Sequence, residues 1–245
     1  MTEFKIIPVI DILKKEAVHA IKGERENYKS LKSYLFDTSN PVEILKELYE
    51  KYNFNQFYIA DLDAIIKKTP NYELISKILA LLPIDIIIDP GIISIDDVRH
   101  YFRYNIQKLI IGLETISDLE IINKSLKLFG SNQIIVSVDM YNEVILTNIK
   151  EVKGRDPKHI VKDLSEMDVK SIILLDLIKV GQKLGGISPL YLKIRKIFGG
   201  EIYVGGGIKD LNNILLYKSE NFSGVLIGTA LYDGTIKVKD LKMLT

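Results

Sequence analysis

The chain has 245 residues, a formal net charge of +1 at neutral pH and no cysteine. The small net charge excludes a strong attraction to nucleic acid or to an anionic membrane surface. The absence of cysteine excludes disulfides and thiolate metal sites, and the three scattered histidines (His19, His100 and His159) show no ligand spacing. We therefore expect neither a metal nor a nucleic-acid partner.

Short apolar, β-branched runs recur along the chain and predict strands. They cover Lys5–Asp11, Gln56–Asp61, Ile84–Asp89, Lys108–Gly112, Gln133–Asp139, Ser171–Asp176, Glu201–Gly205 and Gly224–Gly228. Continuous apolar runs of this length are typical of parallel strands that are covered on both faces. The first run begins at Lys5 with no cationic, apolar leader before it, so we expect a cytoplasmic protein without a membrane partner.

Helical patterns fill the intervals between these strands, with apolar residues at steps of three and four. They cover Pro41–Tyr52, Tyr72–Leu82, Ile95–Phe102, Leu119–Phe129, Pro157–Met167, Pro189–Phe198 and Leu211–Lys218. Eight strand–helix units in a chain of about 250 residues favour a closed α/β structure, the (β/α)8 TIM barrel, over an open sheet. No linker or shift in composition divides the chain, so we expect residues 1–245 to form a single domain.

The longest predicted irregular stretch is Lys14–Ser39, which follows the first strand and contains Lys22 and Tyr28. Long loops in compact domains are often active-site lids. We take Lys22 as a candidate for the rim of a site. A solvated loop without a role is the alternative interpretation.

Aspartate stands at the end of five of the predicted strands. These residues are Asp11, Asp61, Asp89, Asp139 and Asp176. In a barrel all such ends meet at one face, where barrel active sites lie. Because aspartate at a strand end also caps the following helix, we expect only two or three of the five to touch a ligand and the others to hold loops.

Glycine-marked turns follow the last two predicted strands. Segment 204–208 reads Val-Gly-Gly-Gly-Ile, and segment 226–230 reads Leu-Ile-Gly-Thr-Ala. Glycines at these places let backbone N–H groups approach an anion, and a short helix near Ala230–Asp233 would point its N-terminus at the same place. We predict a phosphate site at Gly206, Gly207, Gly228 and Thr229, with ordinary turn glycines as the alternative.

A degenerate repeat relates the two halves of the chain. Gly91 and Gly112 are 21 residues apart, and so are Gly207 and Gly228. The pattern indicates two copies of one (βα)4 unit. Asp11 and Asp139 would then face each other across the barrel mouth, where two carboxylates in different environments can serve as general base and general acid.

Together these residues resemble the HisA family of ProFAR isomerases, histidine-pathway enzymes that isomerise phosphoribosylformimino-5-aminoimidazole carboxamide ribotide. The resemblance covers nearly the whole chain and rests on segments 7–11, 61–64, 137–139, 204–208 and 227–231. The related cyclase of the same pathway fits less well around the first two strands. The resemblance implies an Amadori rearrangement of an aminoaldose phosphate without metal or organic cofactor, with Asp11 as the base at C2 and Asp139 as the acid at the ring oxygen.

The chain departs from the family pattern where the first half-barrel should hold a phosphate. The family substrate has two phosphates, one in each half, and the turn after strand three reads Gly-Gly-Gly-Ile-Arg. Here segment 89–93 reads Asp-Pro-Gly-Ile-Ile, and Leu113 and Glu114 replace small or hydroxyl residues. Because Asp89 and Glu114 would repel a phosphate dianion, we predict that this first phosphate site is lost.

Other parts of the substrate shell differ as well. Leu175, Val180 and Gln182 replace polar family residues in the loop after strand six, and His19 stands where an arginine is expected. Three hypotheses remain open: an isomerase of a singly phosphorylated sugar-like metabolite, a true ProFAR isomerase, and a non-catalytic protein that binds a phosphorylated metabolite. We infer no obligate protein partner.

Overall fold

The computed structural model describes residues 3–21, 24, 27–104 and 106–241. Its strands are β1 (Lys5–Leu13), β2 (Glu16–His19), β3 (Lys29–Ser30), β4 (Gln56–Asp61), β5 (Asp85–Asp89), β6 (Lys108–Gly112), β7 (Ile134–Tyr141), β8 (Val144–Ile145), β9 (Ser171–Asp176), β10 (Glu201–Gly205) and β11 (Gly224–Ile227). Its α-helices are α1 (Pro41–Tyr52), α2 (Leu62–Lys67), α3 (Tyr72–Leu81), α4 (Ile95–Tyr101), α5 (Glu120–Phe129), α6 (Pro157–Glu166), α7 (Pro189–Ile197), α8 (Leu211–Ser219), α9 (Thr229–Tyr232) and α10 (Val238–Leu241).

Parallel strands close into a barrel. Within the described residues, eight of them follow one another in the order β1, β4, β5, β6, β7, β9, β10 and β11. The last strand pairs in parallel with the first, with Lys5 opposite Gly224 and Pro8 opposite Ile227. This closure confirms the predicted (β/α)8 barrel, and each predicted barrel strand matches its observed counterpart to within two residues at either end.

Local signals explain why the helices begin where the sequence places them. Asn40 accepts a hydrogen bond from the Val42 N–H at 2.9 Å, and Pro41 occupies the first position of α1. The same arrangement of cap and proline begins α6 at Asp156 and α7 at Ser188. Because such caps are read from adjacent residues, the seven predicted helices match to within one residue at either end.

The prediction that Lys14–Ser39 is irregular was wrong in part. Strand β1 runs on to Leu13, turns through Lys14 and Lys15 at φ 54° and 64°, and returns as the antiparallel strand β2. Two successive left-handed residues make a tight two-residue hairpin turn, which usually contains asparagine or glycine. A Lys-Lys turn lacks that signal, and β7 and β8 form a matching hairpin through Asn142 and Glu143.

The barrel interior is filled by one large side chain from each barrel strand. These are Ile7, Tyr58, Ile87, Ile110, Ile135, Ile173, Tyr203 and Leu226. A second apolar layer lies between the strands and the helices. Side chains alternate between these layers along each strand, so residues two or four places beyond the interior layer face the C-terminal mouth. None of the helices in the described ranges has the length and apolar character needed to cross a bilayer.

Candidate active site

A cavity of about 420 Å³ opens at the C-terminal mouth of the barrel. Its walls come from the barrel strands, from hairpin strand β2 and from the loop after β9. Carboxylates lie in its wall together with many apolar side chains, and the glycine turns after β10 and β11 form one end. The volume suits a small metabolite.

Three of the five strand-end aspartates line this cavity: Asp11, Asp89 and Asp139. Asp11 lies four residues beyond the interior residue Ile7, and Asp139 four beyond Ile135. These even spacings turn both side chains inward, which brings the predicted catalytic pair into one cavity.

The other two aspartates hold connections and lie outside the cavity lining. Asp61 accepts hydrogen bonds from the Ala64 N–H at 3.1 Å and from the Asn71 N–H at 2.7 Å. Asp176 accepts hydrogen bonds from the N–H groups of Asn142 and Glu143 at 3.0 and 3.3 Å. Both carboxylates are almost fully buried, and their oxygens are used to fix loops.

The two opposed aspartates have different surroundings. Burial, together with the nearby Asp89 carboxylate, raises the pKa of Asp11 to about 7. Asp139 instead accepts a hydrogen bond from the Ser137 hydroxyl. The two halves of the barrel therefore present the same side chain in unequal environments, a difference that suits separate base and acid roles.

Tyr58 is a cavity residue that the sequence analysis missed. Its hydroxyl donates a hydrogen bond to Asp89 at 2.9 Å. Burial, with the charges of Asp89, Asp139 and Asp11, raises the pKa of Tyr58 well above its usual value, so the phenol keeps its proton. Tyr58 and Ala60 lie two residues apart on β4, so their side chains face the same way. Because both faces of this strand are apolar, the sequence does not show which of its residues point into the barrel.

The glycine turns of the second half border one end of the cavity. Gly206 and Gly207 have φ values of 80° and 78°, in the left-handed region that favours glycine. Gly228 and Thr229 stand at the start of α9 beside them. The four predicted phosphate residues thus lie together in the cavity lining.

His19 and Lys183 stand at the same end of the cavity. The Nε2 atom of His19 lies 2.8 Å from the Thr229 hydroxyl oxygen. Burial lowers the pKa of His19, and the charge of Asp233 opposes that effect. Lys183 donates hydrogen bonds to Asp233 and to Thr235. The sequence analysis missed these contacts because hairpin β1–β2 was not predicted and Lys183 lies in a loop without a pattern.

The matching turns of the first half are filled. The Gly91 N–H donates to Asp89 at 3.1 Å. A Cβ placed on Gly91 would lie 2.9 Å from a side-chain carbon of Ile65, and one placed on Gly112 would lie 2.6 Å from the Glu114 carboxyl carbon. Side chains of the chain itself therefore occupy the space above both glycines.

Two further points concern the rim candidate Lys22 and the possibility of a metal site. Lys22, a rim candidate, lies outside the described residues. Among the residues that are described, no group of three or more histidine, aspartate or glutamate side chains is arranged to hold a metal ion.

The fold and this cavity define a (β/α)8 barrel of two related halves with a carboxylate-lined cavity at its C-terminal mouth. A family model described as "Histidine biosynthesis protein" matches residues 5–237. The chain belongs to this family.

Several relatives match over almost their full length. An uncharacterized protein of Methanocaldococcus jannaschii is 30% identical over 240 residues, 97% of each chain. A protein of Lactococcus lactis subsp. lactis, named 1-(5-phosphoribosyl)-5-((5-phosphoribosylamino)methylideneamino)imidazole-4-carboxamide isomerase, is 31% identical over 96% of this chain and 97% of its own. A protein of the same name from Flavobacterium johnsoniae is 27% identical over 97% and 98%. The predicted HisA resemblance and the expectation of an isomerase are confirmed at the level of the family.

Proposed function

We propose that the chain is an isomerase that converts a phosphorylated aldose-type sugar into the ketose form by acid–base catalysis in the barrel mouth. The observation that carries the proposal is that Asp11 and Asp139 share one cavity with the glycine turns of the second half. Asp139 protonates the ring oxygen as the ring opens, and Asp11 removes the proton at C2 to give an enol. The enol becomes the ketose when its C2 hydroxyl loses a proton and C1 gains one, so the overall reaction neither consumes nor releases protons. Residues 1–245 act as one unit in this proposal.

The surroundings of Asp11 support the role of base. A general base works best when its pKa lies near the working pH, and the pKa of Asp11 is about 7. Asp139 accepts a hydrogen bond from the Ser137 hydroxyl, which restricts the orientation of its carboxyl group. The unequal environments of the two carboxylates allow separate roles, and the assignment of base to Asp11 and acid to Asp139 follows the family resemblance.

We place the substrate phosphate at Gly206, Gly207, Gly228 and Thr229. Backbone next to glycine can approach a phosphate closely, and the Thr229 hydroxyl can donate to it. His19 and Lys183 supply polar nitrogen atoms at this end of the cavity. A phosphate dianion here would favour the protonated form of His19, because opposite charges at close range stabilise each other.

We further propose that the substrate has a single phosphate. In the first half, Asp89 already accepts the Gly91 N–H, and Ile65 and Glu114 cover the two glycines. Asp89 and Glu114 also bring negative charge to this side of the cavity. A second phosphate would therefore meet both a filled volume and like charge.

A second candidate is the reaction named for the Lactococcus and Flavobacterium relatives. Their printed substrate name contains two phosphoribosyl groups, and their similarity extends over nearly the whole chain. The filled turns of the first half argue against this candidate. A non-catalytic binding protein is the third candidate. It assigns no role to the inward-facing carboxylates of Asp11 and Asp139.

The experiment that separates these candidates is an assay of the purified protein with the two-phosphate ribotide, read by absorbance. We expect turnover far below the usual enzyme range of roughly 1–1000 per second. We also expect inorganic phosphate to raise the unfolding temperature of the protein. Rapid turnover of the ribotide would establish the second candidate and refute the single-phosphate substrate.

A control assay uses small aldose phosphates with the wild-type protein and the Asp139→Asn variant. Turnover that depends on Asp139 supports the isomerase. If no aldose phosphate or ribotide is converted while phosphate still stabilises the fold, the non-catalytic candidate is correct.

A further inference from the structure

Glu114 folds back over the end of strand β6. The strand ends at Gly112, and the Leu113 side chain is buried in the outer apolar layer. The Glu114 side chain turns the other way and lines the cavity. Its carboxyl group lies directly above Gly112, since a Cβ on that glycine would be 2.6 Å from the carboxyl carbon.

The backbone that carries Glu114 is held by its neighbours. The Asn148 side-chain amide donates to the Glu114 carbonyl oxygen at 2.6 Å. The Thr115 hydroxyl contacts the carbonyl oxygens of Ile92 and Gly112 at 2.6 and 3.1 Å, which ties the turn after β6 to the turn after β5. The position of the Glu114 carboxylate therefore follows from a braced turn.

The equivalent glycine of the second half is open. A Cβ placed on Gly228 would have the Val9 Cβ as its nearest neighbour, at 4.0 Å. Gly112 is the last residue of β6, Gly228 directly follows β11, and the two lie at matching positions of the repeat. The space that the Glu114 carboxyl group occupies above Gly112 is thus empty above Gly228.

We propose that Glu114 is a specificity-determining residue that keeps anionic groups out of the first half of the site. Its carboxyl group takes the volume above Gly112 that a second anion would need. The part of the substrate that lies against β6 therefore carries no phosphate. This inference rests on the proposed function in one respect, because it assumes that the substrate lies in this cavity.

The test counts phosphate sites with inorganic phosphate as the probe. Isothermal titration and phosphate-soaked crystals are compared for the wild type, Glu114→Ala and Glu114→Gln. We expect one phosphate in the wild type, next to Thr229, and a second one above Gly112 in Glu114→Ala, with at least tenfold tighter binding there than in the wild type. Glu114→Gln keeps the volume and removes the charge, so we expect a smaller gain at the same place.

The matched control is Glu120→Ala, which removes an exposed carboxylate at the start of α5, away from the cavity. It should bind phosphate as the wild type does. The inference is overturned if Glu114→Ala and Glu114→Gln both bind no phosphate above Gly112, or if the wild type already binds one there. Failure of the proposed function has a different signature, since phosphate would then be absent next to Thr229 whatever happens above Gly112.

Discussion

In the second half of the barrel, Gly228 has open space above it and lies where His19 contacts Thr229, whereas a Cβ placed on Gly207 would lie 3.1 Å from the Lys179 Cβ. In the first half, the matching Gly91 and Gly112 lie beneath side chains of the chain itself. Both Gly91 and Gly207 have positive φ values, 65° and 78°. The turn geometry is therefore shared, and the two halves differ at the second glycine, because the Glu114 carboxyl group covers Gly112 while the space above Gly228 is open.

This comparison shows that a glycine motif predicts the conformation of a turn but not whether the turn binds an anion. A glycine with positive φ is required by the turn itself, whether or not an anion binds there. Whether the backbone can receive a phosphate depends on neighbours such as Glu114, which the motif does not contain. The two halves thus share a backbone design and differ in the chemistry above it.

The two halves also share a hairpin that follows each of the opposed aspartates. Lys14 and Lys15 turn the chain after Asp11, as Asn142 and Glu143 do after Asp139. In each half a carboxylate from the next strand–helix connection accepts turn N–H groups. Asp63 accepts the Lys15 N–H at 3.4 Å, and Asp176 accepts both N–H groups of the other turn.

The largest expected effect tests the opposed aspartates. Asp11→Asn and Asp139→Asn should each lower kcat by about 10²–10⁴-fold, because each variant removes one proton-transfer group. Phosphate affinity should change by less than about threefold, which is under 1 kcal/mol of binding free energy. Steady-state kinetics and calorimetry measure the two effects.

Asp37→Asn, at an exposed position outside the cavity lining, is the control. A variant of either cavity aspartate that keeps full turnover would show that the two halves do not supply an acid and a base.

The next effect separates the two phosphate positions. Thr229→Val should weaken phosphate binding about tenfold, because a hydrogen bond to a charged group contributes roughly 1.5 kcal/mol or more. Thr115→Val removes the hydroxyl that braces the filled turns of the first half. It should leave phosphate binding next to Thr229 unchanged and lower the free energy of unfolding by about 1 kcal/mol. Equal losses of phosphate affinity in both variants would contradict the asymmetry of the halves.

A smaller effect concerns the charge that Asp89 brings close to Asp11 in the first half. Below a pH of about 7, Asp11 is largely protonated and cannot accept a proton, so kcat/KM should rise with pH through that value. Asp89→Asn removes the charge that adds to the burial effect and should shift this rise to lower pH. The pH profiles of the two proteins measure the shift. An unchanged profile would exclude Asp89 as an influence on the base.

The same shift in pKa predicts a change of stability with pH. The folded protein holds the Asp11 proton more tightly than the unfolded chain does, since the pKa rises from 3.8 to about 7. The resulting stabilisation is complete below pH 3.8 and is lost as the pH rises through about 7. The stability of Asp11→Asn relative to the wild type should therefore increase between pH 4 and pH 8, as measured by denaturant unfolding.

The smallest expected effect tests the two hairpin turns. Lys15 and Glu143 both have φ 64°, a conformation that costs an ordinary residue about 1–2 kcal/mol. Lys15→Gly should therefore raise the free energy of unfolding by about 0.5–1 kcal/mol, after the entropic cost of glycine. Glu143→Gly should gain less, because Glu143 accepts the Ser188 hydroxyl. Urea denaturation of both variants measures the difference, and a larger gain for Glu143→Gly would count against this account of the turns.

Much of the fold follows from local sequence. Apolar, β-branched runs mark the barrel strands, and caps such as Asn40 before Pro41 mark the helix starts. These signals lie within a few residues of the element they predict, so no knowledge of distant contacts is needed. The repeat of glycine spacings likewise relates the two halves directly.

The tertiary structure decided which polar residues meet in the cavity. The barrel strands are apolar on both faces, so the sequence shows no alternation from which to tell that Asp11 and Asp139 point inward while Asp61 points outward. His19 meets Thr229 across 210 residues of chain. Glu114 covers Gly112 because a braced turn directs it there. Such contacts depend on closure of the barrel and on the direction of individual side chains, and neither is a property of a local stretch of sequence.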